Sequence, residues 1–292
     1  MTETAISFSC GGVPLVGVLH KPEQAQQRGV LFVVGGGPQF RCGGARQLTL
    51  WSRALCEQGY PVFRFDYRGM GDAHGDFVGF EGVDDDIKTA IDQFFVACPE
   101  LKEVVLWGEC DASSAILFYA FRDPRVKGMV LLNPWVRTQA GEAKAILRFY
   151  YLQRIMQPSF WKKVLSFRFN PFASAWSAFK LILASRATKP TTAKPQTIGN
   201  GLGVAMSRDG ALPERLLQGL TRFNGAVLLV LSGRDLIARE FDALISSSNT
   251  WQEQLRLKAV TRHDLPEADH TFSSALHRNQ VVGWGLDWLG KW

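Results

Sequence analysis

The sequence contains no CxxC pair, and its five cysteines, Cys10, Cys42, Cys56, Cys98 and Cys110, are scattered and odd in number. That spacing suggests neither a disulfide framework nor a zinc site, and the expected compartment is a reducing cytoplasm. No apolar run approaches the roughly 18 residues of a membrane span. Residues 1–8 carry no basic stretch followed by an apolar one, so no secretory leader is expected. The triplet Gly35-Gly36-Gly37 is accompanied by neither G-K-[ST] nor G-x-G-x-x-G, which argues against nucleotide binding, and no cofactor is expected. Acidic residues are scarce in one segment: between Arg137 and Arg222, 14 Lys and Arg stand against 3 Asp and Glu. The rest of the chain holds 19 basic and 24 acidic residues, so the formal net charge of +6 belongs to that segment. No recognition motif for nucleic acid accompanies the charge. It serves as a solvated face, as a surface for an anionic substrate, or as a peripheral contact with an acidic membrane.

What is present is a chain of 292 residues, 46% hydrophobic, which suits one large α/β domain carrying an insertion. Residues 5–9 and 15–19 alternate around Gly11-Gly12 and predict an opening β-hairpin. Residues 29–34, 62–65, 104–107, 127–132 and 226–231 are short apolar runs, and helical patterns over 47–58, 84–97 and 111 onward fall between them. The last strand is expected over 255–260, ahead of a final helix that carries Trp284 and Trp288. This alternation predicts a mostly parallel, doubly wound sheet covered on both faces. It stops between about 136 and 223, where aromatic residues are dense and helical spacing prevails. The expected organisation is a core over 1–135, a helical cap over 136–223 and the rest of the core over 224–292. Oligomeric state is not legible.

One turn organises the chemistry. Val104-Val105-Leu106-Trp107-Gly108-Glu109-Cys110-Asp111-Ala112 reads as strand, sharp turn and helix, and places Cys110 at the turn. Asp235 follows the strand at 226–231, and His270 lies in the loop after the last strand. Ends of parallel strands are where sites of open α/β sheets form, and acyl transfer needs such a nucleophile, base and orienting acid. Asp235 could instead only cap the helix that follows, and Asp209 is a poorer substitute. His263 and His277 compete with His270. Asp66 and Arg68 are expected to hold their glycine-rich loop, and His74 to be solvated.

The order nucleophile, acid, histidine, with the glycine-rich loop after an early strand, resembles the α/β-hydrolase superfamily over nearly the whole chain outside the cap. Gly108-Glu109-Cys110-Asp111-Ala112 is similar to the elbow G-x-S-x-G, with cysteine for serine and alanine for the second glycine. Gly36-Gly37-Pro38-Gln39-Phe40 and Arg64-Phe65-Asp66-Tyr67-Arg68-Gly69-Met70-Gly71-Asp72 further resemble the type-one hydrolases associated with exosortase A systems, which occur beside exopolysaccharide genes. The resemblance implies that Cys110 attacks, His270 takes its proton and Asp235 fixes the imidazole tautomer. It also implies that the N–H groups of Asp111 and Gly37 hold the oxyanion. Gly35 stands where many relatives carry histidine, and Pro38 has no N–H to offer. The helix N-terminus and His270 are expected to depress the Cys110 pKa, with Asp111 opposing. The expected reaction is cleavage of an activated acyl ester or thioester, small or carrier-linked, under a cap expected to close over Cys110. The alternatives are acyl transfer through the same triad and a non-catalytic binding protein that keeps the fold.

Overall fold

Gly11 and Gly12 lie at φ of 56° and 85°, the positive values a two-residue hairpin turn requires. They join β1 (Thr2–Cys10) to β2 (Val13–Lys21) in an antiparallel ladder that pairs Cys10 with Val13. The computed structural model describes residues 1–136 and 210–292. Beyond the hairpin come β3 (Arg28–Val33), α1 (Gln47–Glu57), β4 (Val62–Asp66), α2 (Asp84–Ala97), β5 (Glu103–Glu109), α3 (Asp111–Tyr119) and β6 (Val126–Leu132). After the undescribed stretch follow α4 (Leu212–Arg222), β7 (Ala226–Ser232), α5 (Leu236–Ser247), α6 (Asn249–Leu257), β8 (Thr261–Leu265) and α7 (Ala275–Leu289). The eight strands form one sheet in the order β1-β2-β4-β3-β5-β6-β7-β8. Only the β1/β2 and β2/β4 pairs are antiparallel. From β4 to β8 every neighbouring pair is parallel. This is the α/β-hydrolase fold expected from the sequence.

The central strands are buried on both faces, which is why they read as continuous apolar runs. Phe32 of β3, Trp107 of β5 and Trp51 of α1 pack with ring centroids 5.4 to 6.3 Å apart and anchor one helical layer to the middle of the sheet. The strand expected over 255–260 is instead the end of α6 and its exit turn, and the strand comes one step later as β8. Ser248 caps α6 by accepting the Trp251 N–H, and the buried Trp251 ring meets Phe241 edge-on at 5.5 Å. β8 is an edge strand with two of its five residues exposed and none buried, so Thr-Arg-His-Asp-Leu carries no apolar run to announce it.

Of the stretch expected to form the cap, residues 137–209 lie outside the described residues. Its end forms α4, whose buried Leu216 and Leu220 join the core of the sheet domain. Among the described residues, no helix is long and apolar enough to cross a membrane.

Candidate active site

β5 ends at Glu109 and α3 begins at Asp111, so Cys110 alone makes the turn between them. Its backbone sits at φ 59° and ψ −127°, a region costing on the order of 1–3 kcal/mol for a residue with a side chain. The surroundings hold it there. Cys110 N–H donates to Leu132 O at 2.9 Å, and Cys110 O accepts from Ser113 at 3.1 Å and Trp135 at 3.2 Å. The buried Ser113 hydroxyl lies 2.8 Å from Gly108 O and accepts the Leu132 N–H at 3.1 Å, pinning α3 to β5 and β6. The turn also needs an empty space opposite. A Cβ on Gly35, in the loop after β3, would lie 2.2 Å from Glu109 O and 2.9 Å from Asp111 Oδ1.

Asp235 and His270 come to the same strand ends. Asp235 is the N-cap of α5, its carboxylate accepting from Ile237 N at 3.2 Å and Ala238 N at 3.0 Å. The same carboxylate lies 2.8 Å from His270 Nδ1, so capping and histidine-holding are one arrangement, not alternatives. With Nδ1 committed to Asp235, Nε2 is the ring nitrogen left for the Cys110 thiol, with which His270 interacts. The loop carrying His270 is fastened by Asn133, whose Nδ2 donates to His270 O and whose Oδ1 accepts the Ser232 N–H, both at 2.8 Å. Asn133 is fully buried at φ 45°. In the sequence it reads only as the end of a strand. His263 lies elsewhere, stacked on Trp284 with centroids 4.2 Å apart, and His277 sits in the first turn of α7, its N–H held by Ser274.

The oxyanion groups are less evenly placed. Asp111 N–H opens α3 beside Cys110. The Gly36 N–H is already taken by Asp111 Oδ1 at 2.6 Å, and Gln39 Nε2 donates to Gly35 O, which folds the loop onto the elbow. Gly37 is exposed, and its N–H makes no hydrogen bond among the described residues. Asp66 and Arg68 hold their loop, through different partners. The buried Asp66 accepts the backbone N–H groups of Arg41 and Asp72 and pairs with the Arg41 guanidinium, whereas Arg68 pairs with Asp86 at 2.7 Å.

The electrostatics correct one expectation. Burial pushes the Cys110 thiol above its ordinary pKa, with the Asp111 charge adding to it, against the His270 hydrogen bond and the Asp111 N–H. The helix end and the histidine are outweighed because the thiol is only 9% exposed. Burial works against charge on His270 as well, but Asp235 and Cys110 hold its pKa up, at about 10. Burial also opposes the Asp235 charge, yet His270 and the two cap N–H groups keep that carboxyl below its usual value. Glu109, half-buried beside Cys110, is pushed by desolvation up to about 8. The part of the His270 rise owed to Cys110 is the attraction between an imidazolium and a thiolate, so the two shifts describe one proton shared across the Cys110–His270 pair. Iodoacetamide is expected to label Cys110 more slowly at pH 7 than it labels N-acetylcysteine. A raised pKa means less thiolate at a given pH, so the rate should climb through a midpoint above that of the free thiol. Peptide mapping across pH checks this, and a midpoint below the free thiol would overturn it.

A cavity of about 170 Å³ adjoins the thiol, bounded by the loop after β3, the start of α1, Glu109, Cys110 and His270. A larger open hollow of about 700 Å³, near Met1, Glu23 and Glu57, contains none of the triad residues. Among the described residues, no group of three or more His, Cys, Asp or Glu side chains could hold a metal ion.

The profile of the family described as serine aminopeptidase, S33, matches residues 25–272. No curated protein matches the chain. Among solved structures, an esterase from Pyrococcus furiosus superposes with a TM-score of 0.65 at 14% identity, over 100% of this chain and 91% of that one. A highly thermostable carboxyl esterase from Bacillus coagulans gives 0.61 at 13% identity, over 99% and 98%. Est1E from Butyrivibrio proteoclasticus, solved with ferulic acid bound, gives 0.56 at 15% identity, over 98% of this chain and 100% of that one.

Proposed function

We propose that this chain, which belongs to the serine aminopeptidase S33 family of α/β-hydrolases, cleaves acyl ester or thioester bonds with Cys110 in the place of the family's serine. The observation that carries the reading is the continuous line of contacts from the strained Cys110 turn through His270 to Asp235. Cys110 Sγ attacks the acyl carbon as His270 Nε2 takes the thiol proton. Asp235 steadies the imidazolium. The oxyanion that forms is held by the N–H of Asp111, and Gly37 supplies the second donor. Collapse expels the alcohol or thiol, which receives the proton from His270, and leaves an acyl thioester on Cys110. Water activated by His270 then releases the acid.

A thiolate is a good leaving group as well as a nucleophile, so activated donors such as thioesters suit it better than simple alkyl esters. The esterase descriptions of the structural neighbours fit the same bond class. The motifs at 36–40 and 64–72 support a setting in exopolysaccharide-linked metabolism, where the acyl group passes to water or to a sugar or carrier acceptor. The excess of basic residues between 137 and 222 suits an anionic donor or an acidic membrane surface.

Mixing the protein with p-nitrophenyl butyrate and with S-ethyl thiobutyrate, then quenching in acid, tests the mechanism. Intact mass should rise by one butyryl group, mapped to Cys110, and Cys110→Ala should abolish both the adduct and turnover. Turnover unchanged in that variant would remove the reading.

One observation favours a second reading, a binding protein that retains the fold: the thiol is raised by burial and flanked by the carboxyls of Glu109 and Asp111. The labelling experiment separates the two. An enzyme requires the Cys110 rate to depend on His270, and a binding protein does not.

A further inference from the structure

β8 ends the sheet, and among the described residues no strand pairs with its outer side. An open edge presents a row of N–H and C=O groups to any strand laid along it. Which residues offer them follows from Leu265, whose carbonyl turns inward and accepts the Gly233 N–H at 2.8 Å. Successive residues of a strand turn their backbone groups to opposite sides. Thr261, His263 and Leu265 therefore face β7, and Arg262 and Asp264 face outward. The same two residues carry the charge of the edge. Arg262 pairs with Asp264 at 2.8 Å and with Asp242 of α5 at 2.7 Å. An edge guarded by repulsion carries one sign, because like charges set opposite each other destabilise a ladder, and this edge carries both.

We infer that the partner of this edge is a second copy of the chain, joined β8 to β8 in antiparallel register about a two-fold axis at His263. A two-fold axis perpendicular to the sheet sets side chains of the same face opposite one another, so it passes through a residue, and Arg262, His263 and Asp264 are the central choices. Centred on Arg262, the ladder sets guanidinium against guanidinium and calls on the Val260 N–H, which already donates to Leu255 O. Centred on Asp264, it sets carboxylate against carboxylate and calls on Pro266, which has no N–H. Centred on His263, it overlaps all five residues of β8 and sets each Arg262 opposite the other copy's Asp264. A mutual pair of N–H···O bonds then forms at each of those two pairings. The axis passes between two His263 rings, each stacked on the Trp284 of its own chain. Burial and the Lys291 charge hold the His263 pKa below its ordinary value, so these rings meet uncharged at neutral pH. Asp242 on the Arg262 face and Trp284 on the His263 face bring α5 and α7 beside their counterparts.

Light scattering on a size-exclusion column, at neutral pH and low salt, reads the mass. The wild type is expected at twice the chain mass. Arg262→Asp makes the edge wholly acidic and Asp264→Arg makes it wholly basic, so each variant alone is expected at the chain mass. Mixing the two should restore the doubled mass, and the exchanged variant Arg262→Asp/Asp264→Arg should dimerise by itself. Hydrogen exchange of the wild type needs no variant to fold. The amides of Arg262 and Asp264 should exchange about tenfold or more slowly where the mass is doubled than after dilution to single chains. A wild type at the chain mass, a doubled mass in both single variants, or a mixture of the folded variants that stays at the chain mass overturns the inference. So do Arg262 and Asp264 amides that exchange equally fast in both states.

Discussion

Replacing His270 by alanine is expected to lower kcat for an activated thioester by about 10⁴-fold or more, while melting stays within a few degrees of the wild type. The size follows from two roles in one ring, since Nε2 takes the thiol proton and later returns one to the leaving group. With the thiol held above its ordinary pKa, little thiolate exists without that base. The small effect on stability follows from exposure, because the side chain is one-third exposed and its loop is held through backbone contacts. Asn133 grips the His270 carbonyl, and Gly233 N and Arg234 N bond to Leu265 O and Ala268 O. None of these needs the imidazole. His263→Ala and His277→Ala are the controls, expected to stay within about twofold, because neither ring reaches the Asp235 carboxylate. Steady-state rates and thermal melts of the three variants decide it. A His270→Ala protein within tenfold of wild type, or a His263→Ala protein as crippled as expected for His270, would overturn the assignment.

What could be read from the sequence follows from where each signal lives. Strands buried on both faces must be apolar throughout, so Val30 to Val33 and Val104 to Trp107 declared themselves, and Gly11-Gly12 declared the hairpin. β8 is an edge strand with charged residues facing water, and its pattern is that of a loop. The order Cys110, Asp235, His270 was legible because each residue follows a strand, and strand ends converge on one side of a parallel sheet. The supports were not legible. Ser113 and Asn133 act through bonds that span 19 to 137 residues of chain, and nothing beside them in the sequence marks them.

The sign of the Cys110 shift was misread for a related reason. Local sequence displays the helix start and the acidic neighbour, but burial depends on everything packed around the thiol, and burial is the larger influence. Glu109 illustrates the same point. Its carboxyl is half-buried at the end of β5, and the desolvation that drives its pKa to about 8 comes from packing that the neighbouring sequence does not display.

Gly35→Ala is the second large effect expected. The added methyl would stand 2.2 Å from Glu109 O, 2.9 Å from Asp111 Oδ1 and 3.3 Å from Ala112 Cβ. A backbone oxygen cannot swing aside as a side chain can, so the loop or the elbow must move. Either movement breaks the 2.6 Å bond between Gly36 N and Asp111 Oδ1, which fixes the loop carrying Gly37 against α3. Overpacking of this kind costs about 1–3 kcal/mol, or a melting decrease of about 5 °C in a chain of this size. The catalytic loss should be larger, because a displacement of about 1 Å at a reacting group can cost on the order of 10²-fold. A histidine at this position, as the resemblance leads one to expect, meets the same oxygen with its Cβ, which accounts for glycine in this chain. Gly37→Ala is the contrast, since nothing lies within 4 Å of its added Cβ and its N–H is retained. Its melting temperature should match the wild type. If Gly35→Ala melts and turns over as the wild type does, the loop is not seated against the elbow, and the oxyanion role given to Gly37 fails with it.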